Sequence, residues 1–434
     1  MRRFEIIDDT TFAEALRLAE QIGSGAETGA LEDKRAAVAR IAEAVRHEGD
    51  AAVARFTKEF DHSSLTPEQF EVSAGEFAAA RSAVDPNLVA ILERAQENIR
   101  RFHAKNLRQS WEETSEDGMV LGQRVTPIDR VGVYVPGGKA FYPSSVLMNI
   151  VPAKVAGVKE IIMVSPPSYD GGIHPVVLTA AQIAGADRVF RVGGAQAVAA
   201  LAYGTAVIPR VMKITGPGNI YVTLAKALVR GRVDIDSEAG PSEVVVIADD
   251  KANPAYVAAE LLAQAEHDED ALCVLVTTSR ELAEATLVRL SDDIAKQPRH
   301  AIINRALQEH GLVVIARDMD DAVALTNGIA PEHLSIQTEF PRKVSDRIRN
   351  AGAMMLGGMT PVAVGDYYAG PNHILPTGRR ARFQSPLSAE DFRKVTSIIA
   401  YSRERLAQDG DDITALAEIE GLHAHARAIE VRRK

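Results

Sequence analysis

The 434-residue chain holds one cysteine and one tryptophan, and aromatic residues make up only 5% of it. A lone thiol excludes any disulfide within the chain and fits a reducing compartment. No stretch reaches the ~20 uninterrupted apolar residues of a membrane-crossing helix. Positive charge is also short: Lys and Arg number 49 against 59 Asp and Glu, for a net charge of −10. Nonspecific attraction to nucleic acid or to an anionic membrane therefore has no electrostatic support, and a small-molecule substrate is expected. The amino-terminal MRRFEIIDDTTFAEALRLAE carries acids and an amphipathic pattern where a secretion signal has an apolar core, so a cytoplasmic location is expected. The single thiol, Cys273, lies in ALCVLVTT, a short branched apolar run that reads as a buried strand, and no electropositive neighbour marks it as a nucleophile.

What is present is ordinary globular material, 46% hydrophobic and 25% charged, in a chain long enough for two to four domains or subdomains. Residues 8–24 read as a helix, GSGAETGA (23–30) as a joint, and 31–58 and 85–108 as further helices, with Asp85 as N-cap and Pro86 in the first turn of the last. After Val131 short β-branched runs alternate with Ala-rich helical segments, and a second such series starts at EVVVIAD (243–249). This is the pattern of parallel, helix-covered sheets, and it predicts two related α/β units. From about 388 the chain reads as a strand-free helical tail.

Three glycine segments follow strands and precede helices: YVPGGKAFYPS (134–144), VGGAQAVAAL (192–201) and TGPGNIYV (215–222). Free backbone N–H groups there can face an anion. None completes a dinucleotide fingerprint, since Tyr221 stands where a third glycine would be after Gly216 and Gly218. Each alone is a tight turn. Together they outline a crevice for an extended ligand such as a nucleotide, a sugar phosphate or an acyl carrier.

Polar residues gather in four places. In LLAQAEHDED, Gln264 and His267 are three apart and on a helix would share a face, as a surface pair, a helix-end decoration or two metal ligands. IAPEHLSI sets Glu332 beside His333 between apolar flanks, as an exposed turn or as a functional acid and base. GDYYAGPNHILPTG carries Asp366 and His373, and IEGLHAHARAI carries Glu420, His423 and His425. Gln264, His267, Asp366 and His425 would suit a divalent ion such as zinc, although no local metal motif declares it.

These segments resemble a known family. GVYVPGG, YPSSVLMN, GGAQAVAALAYGT, GPGN, AGPSEV, QAEH, APEHL, GDYYAGPNHILPTG, ARFQSPLS and EGLHAH occur in the order and spacing of histidinol dehydrogenases, over essentially the whole chain. The resemblance implies oxidation of L-histidinol through histidinal to L-histidine with two NAD+, at one Zn2+ per subunit. It implies Gln264, His267, Asp366 and His425 as zinc ligands, and Glu332 and His333 as the catalytic pair. The substrate would touch Ser242, Gln264, His267, His333, Asp366, His373, Glu420 and His425. NAD would touch Tyr134, Gln196 and Asn219. Homodimers with shared active sites are implied, the tail completing the partner's site.

The fold implied is α/β, with two related incomplete Rossmann-like parallel-sheet domains and small helical terminal segments. Its expected divisions are an amino-terminal helical segment (1–25), a catalytic and metal domain (26–132 with 242–387), an NAD domain (133–241) and a helical tail (388–434). The chain departs from the common family pattern at Arg379 and Arg380 in PTGRRARF and at Glu238 in IDSEAGPSE, which bear on substrate contacts. Three alternatives stand beside this reading. One is a zinc enzyme of another kind, either a hydrolase or a dehydrogenase of a different small alcohol. A second is aldehyde oxidation through a Cys273 thioester, and the third is a binding protein without turnover.

Overall fold

Runs such as EVVVIA and LCVLVT are apolar at all but one end position, the mark of strands covered on both faces. In the computed structural model, which describes residues 1–23, 29–137, 141–238 and 240–433, they lie inside parallel sheets. The strands are β1 (Arg2–Glu5), β2 (Trp111–Thr114), β3 (Val120–Pro127), β4 (Arg130–Tyr134), β5 (Glu160–Val164), β6 (Arg188–Phe190) and β7 (Lys213–Thr215). They continue as β8 (Asp234–Ile235), β9 (Glu243–Ala248), β10 (Leu272–Thr277), β11 (Gly311–Ile315), β12 (His333–Gln337), β13 (Ala353–Leu356) and β14 (Arg393–Ala400).

Two sheets are wholly parallel. One runs β6-β5-β4-β7-β8 and the other β1-β11-β10-β9-β12-β13. Counted from the first strand of each unit, both read 3-2-1-4-5, with β1 added as an outer strand on the larger. The shared order makes them the related pair that the β–α alternation predicted. In each, the order reverses beside the first strand, at β4/β7 and at β9/β12, where such sheets open a crevice. Alternation along β9 serves both faces of its sheet: Val244, Val246 and Ala248 enter one core cluster, Val245 and Ile247 the other.

The divisions differ from those expected. Helices Gly29–Glu48, Asp50–Phe60, Ala74–Ala83 and Pro86–Ala104 pack mainly on helices of the five-stranded unit, and the last of them also reaches residues 242–387 at Tyr368. The apolar faces of the first two explain this, because Val38, Ile41 and Val53 share one core with Val198, Leu201 and Ile214. The amino terminus is not helical throughout: β1 extends the six-stranded sheet, and helix Asp9–Gly23 follows it. The tail is not strand-free either. β14 pairs antiparallel with β3, and β3 with β2, in a separate three-stranded sheet. Its sequence RKVTSIIA has the β-branched content of a strand. The helical stretch 31–58 breaks at Gly49, whose φ of +58° ends one helix and starts the next. The expected joint at 23–30 lies mostly outside the described residues.

The segment 365–378 joins the two parallel-sheet units. The Asn372 side chain donates to the Met148 carbonyl at 2.6 Å, and Asn98 donates to the Tyr368 carbonyl at 2.9 Å. Polar residues on this segment therefore face both units at once.

Candidate active site between the two sheet units

The glycine segments meet at the carboxyl ends of β4, β6 and β7, around the β4/β7 reversal. Tyr134 closes β4 and is buried, and its hydroxyl accepts from the Gly194 N–H at 3.1 Å. Burial pushes its pKa up to about 12. Gly216 has a φ of +112°, and a Cβ there would come within 2.0 Å of the Tyr134 carbonyl oxygen, so only glycine fits. Both backbone groups of Gly216 are held, its N–H by Asp236 at 2.7 Å and its carbonyl by Lys226 at 2.9 Å. Asn219 caps the following helix, accepting from the Tyr221 and Val222 N–H groups, and is exposed. Gln196 is fully buried, and its Nε2 donates to Asp61 at 3.3 Å. Burial pushes the Asp61 carboxyl up to about 6. The Gln196 Oε1 is buried without a partner. Tyr134 and Gln196 are thus buried beside Gly194, with the orphaned Gln196 Oε1 against the glycine turn, while Asn219 opens the helix that follows Gly216 and Gly218. Residues 138–140 lie outside the described residues.

The six-stranded sheet uses its other end. Glu332 and His333 sit at the amino end of β12, and Ser242 and Glu243 at the amino end of the adjacent β9. Glu332, His333 and Glu243 are all buried. The Glu332 Oε2 accepts from the Glu243 N–H at 2.8 Å, and the Glu243 Oε2 accepts from the Glu332 N–H at 3.2 Å. The other Glu243 oxygen accepts from the Gly378 N–H at 2.8 Å. Burial, with the Glu332 charge added, pushes the Glu243 carboxyl up to about 7, against the pull of that N–H. His333 Nδ1 faces the Glu243 carbonyl at 3.2 Å and Glu332 Oε2 at 3.4 Å. His333 Nε2 faces Asp366 Oδ1 at 3.2 Å. Burial presses the imidazole toward its neutral form, but the two carboxylates outweigh it and hold its pKa well above 6.5. The exposed-turn reading of Glu332 and His333 does not hold.

Asp366 lies in the helix Val362–Tyr367 and is largely buried. Burial raises its pKa, but His333 wins and leaves it below 3.8, with His373 and His267 also close enough to contribute. His373 Nδ1 faces the Asp366 carbonyl at 2.8 Å, and its Nε2 faces Ser145 Oγ at 3.4 Å. Gln264 is buried in the last turn of helix Pro254–Ala265. That helix stops at Ala265, so His267 does not share a helical face with Gln264. It follows in the turn, exposed, its N–H bonded to the Gln264 carbonyl at 3.2 Å.

The Gln264 amide is buried with its Nε2 unpartnered. Flipped, that amide presents a neutral oxygen, a ligand type that suits a divalent ion alongside a carboxylate and an imidazole. Among the described residues, no three His, Cys, Asp or Glu side chains gather closely enough to hold a metal alone. Glu420 and His425 stand exposed on the tail, where helix His423–Arg433 packs on Arg403–Ile419. Among the described residues, no hydrogen bond or ion pair ties either to Gln264, His267 or Asp366. Within one chain, Asp366 has His333, His373 and His267 around it, while His425 has no tie to it among the described residues.

Sequence reasoning missed Glu243 and Glu260. Each left a signal: an acid opening an otherwise apolar strand, and an acid one turn before Gln264 on an apolar helix. Cys273 is fully buried in β10, where burial pushes its thiol far up and removes the thiolate a thioester route needs. Of the residues that depart from the family pattern, Arg380 pairs with Glu238 at 3.4 Å and Arg379 pairs with Glu20. Among the described residues, no helix is long and apolar enough to cross a membrane.

A family model described as histidinol dehydrogenase matches residues 26–433. A histidinol dehydrogenase of Heliobacterium mobile is 53% identical over 395 residues, covering 91% of this chain and 92% of the relative. One from Syntrophotalea carbinolica is 50% identical over 434 residues, covering 100% of each. The crystal structure of histidinol dehydrogenase from Elizabethkingia anophelis superposes with a TM-score of 0.93 at 35% identity, covering 100% of this chain and 98% of that one.

Proposed function

The chain belongs to the histidinol dehydrogenase family, and from that premise we propose how its residues divide the oxidation of L-histidinol to L-histidine. The observation that carries the proposal is the buried Glu332–His333 pair, held at one end of the six-stranded sheet beside Asp366.

Gln264, His267 and Asp366, with His425 from a second copy, would hold zinc. When bound, zinc supplies positive charge that draws the substrate's nitrogens in and makes its hydroxyl more acidic. Tyr134, Gln196 and Asn219 would hold NAD+, which would supply the hydride acceptor. Ser242 and His373 would position the substrate, and the Glu420 carboxylate would face one of its cationic groups.

In the first oxidation, the carbinol carbon gives a hydride to NAD+ and His333 takes the hydroxyl proton. Its Nδ1 is fixed by the Glu243 carbonyl and Glu332, which leaves Nε2, now facing Asp366, as the proton acceptor; Asp366 would serve the metal when that is bound. The product is histidinal. Water then adds to the aldehyde. Glu332 has its Oε2 committed to the Glu243 N–H, which leaves the other oxygen to take the water's proton. The hydrate gives a second hydride to a second NAD+, and His333 again accepts the hydroxyl proton, leaving the carboxylic acid.

The tail suits a homodimer with shared sites. Ile399, Leu416 and Ile419 are 69%, 65% and 84% exposed, a face that a second copy would cover while bringing in Glu420 and His425. The buried lone thiol suits the cytoplasm.

The test is stoichiometric. Zinc-loaded protein with limiting L-histidinol and excess NAD+ should yield two NADH per histidinol, with chelation abolishing and zinc restoring turnover. One NADH with histidinal accumulating refutes the four-electron reading, and no NADH refutes the substrate.

A further inference from the structure

Glu260 is a buried acid that the chemistry above does not use. It sits on helix Pro254–Ala265 among Val257, Ala258, Leu261 and Ala265, all buried and apolar, where an acid needs a specific partner. That partner is the backbone of another helix. The two carboxylate oxygens of Glu260 lie 3.1 and 3.3 Å from the Val362 N–H. Val362 opens the helix Val362–Tyr367, and its N–H has no carbonyl within that helix to bond. No side chain at the cap position, Pro361, supplies an acceptor in its place.

The spacing on each side of this contact is the same. Gln264 stands one turn beyond Glu260 on the first helix, and Asp366 stands one turn beyond Val362 on the second. Residues four apart share a helical face. A single hydrogen bond therefore ties two helices together one turn below the two side chains assigned to the metal.

We infer that Glu260 is a positioning residue for the metal site, fixing through the Val362 N–H the separation between Gln264 and Asp366. The inference rests on the ligand assignment proposed above. Metal affinity depends on fixed ligand geometry, and groups that orient ligands typically change it 10–100-fold when removed. Ser242, His333 and the tail reach the site from elsewhere, so no other described hydrogen bond joins these two helices at this level.

The experiment compares Glu260→Gln, Glu260→Asp and Glu260→Ala in the full-length protein. Zinc dissociation constants come from competition with a chromogenic chelator, and cobalt(II) absorption reports ligand geometry. Gln keeps an oxygen acceptor for the Val362 N–H and should keep wild-type zinc affinity and the wild-type cobalt spectrum. Asp, one methylene shorter, and Ala should weaken zinc by roughly 10–100-fold. Asp should also shift the cobalt bands.

Unchanged affinity in Asp and Ala overturns the inference. So does a loss in Gln as large as in Ala, because charge rather than the hydrogen bond would then matter. If the Ala variant does not fold, Asp against Gln decides. Gln264→Ala and Asp366→Ala are the controls. If neither weakens zinc, the ligand assignment has failed; if both do while the Glu260 variants bind normally, only the positioning role has.

Discussion

Glu243 and Glu332 hold each other head to tail, each carboxylate accepting from the other's backbone N–H, at 2.8 and 3.2 Å. The arrangement locks the starts of β9 and β12 together and aims Glu332 from a backbone that cannot shift independently. It also crowds two acids into a buried space, and the cost falls on Glu243.

The Glu243 pKa of about 7 lies above its ordinary 4.5, so the folded state holds the proton more tightly than the unfolded chain. Its contribution to stability is then fully present below about pH 4.5 and is lost as pH rises through 7. Glu243→Gln removes that dependence and turns one acceptor into a donor facing an N–H, which costs roughly 1–3 kcal/mol. In urea unfolding, the wild-type advantage over Gln should shrink between pH 4.5 and 7 by up to roughly 3 kcal/mol and stay level above it. A difference that does not change with pH would refute the proton's location.

The two oxidations should separate by mutation. His333→Asn should depress both, because both need a proton acceptor at the hydroxyl. Glu332→Gln should mainly slow oxidation of added histidinal, by about 10²-fold for a lost general base. Histidinal oxidised at the wild-type rate by that variant would remove Glu332 from water activation.

Site sharing in the proposed dimer is testable by mixing two inactive variants, His425→Ala and His333→Ala. If the tail crosses to the partner, each mixed dimer re-forms one intact site, and activity should rise to roughly a quarter of wild type after statistical exchange. Activity that stays flat with exchange verified would mean that His425 serves its own chain.

Cys273→Ala should leave NADH formation from histidinal unchanged. The thiol is sealed in β10, its Sγ 3.6 Å from the Leu261 carbonyl. The substitution should lower stability by about 1 kcal/mol through the small cavity it opens. Loss of aldehyde oxidation in a folded variant would restore the thioester route.

Much of this was legible in the chain because period and chemistry agreed. The near-continuous apolar runs EVVVIA and LCVLVT read as covered strands, and the glycines at 193, 194, 216 and 218 fell where strands hand over to helices. Two kinds of information were not local. The helices at 29–104 are amphipathic, and an apolar face does not say which sheet it will cover. RKVTSIIA lies between helical stretches and becomes a strand only because β3 offers an edge. Glu243 and Glu260 were missed for the same reason: their partners are backbone N–H groups, Gly378 and Val362, more than a hundred residues away in sequence.

The two sheets share one strand order, yet the crevice lies at the carboxyl end of one and the acid–base pair at the amino end of the other. The far rim of the larger sheet is thereby released from chemistry. Its connections after β9, β10 and β11, around Asp250, Ser279 and Asp318, hold ordinary turns and helix caps. A chain opened there into new termini, or lengthened by a grafted segment, keeps every residue of the reaction in place, so this rim is where the molecule tolerates redesign.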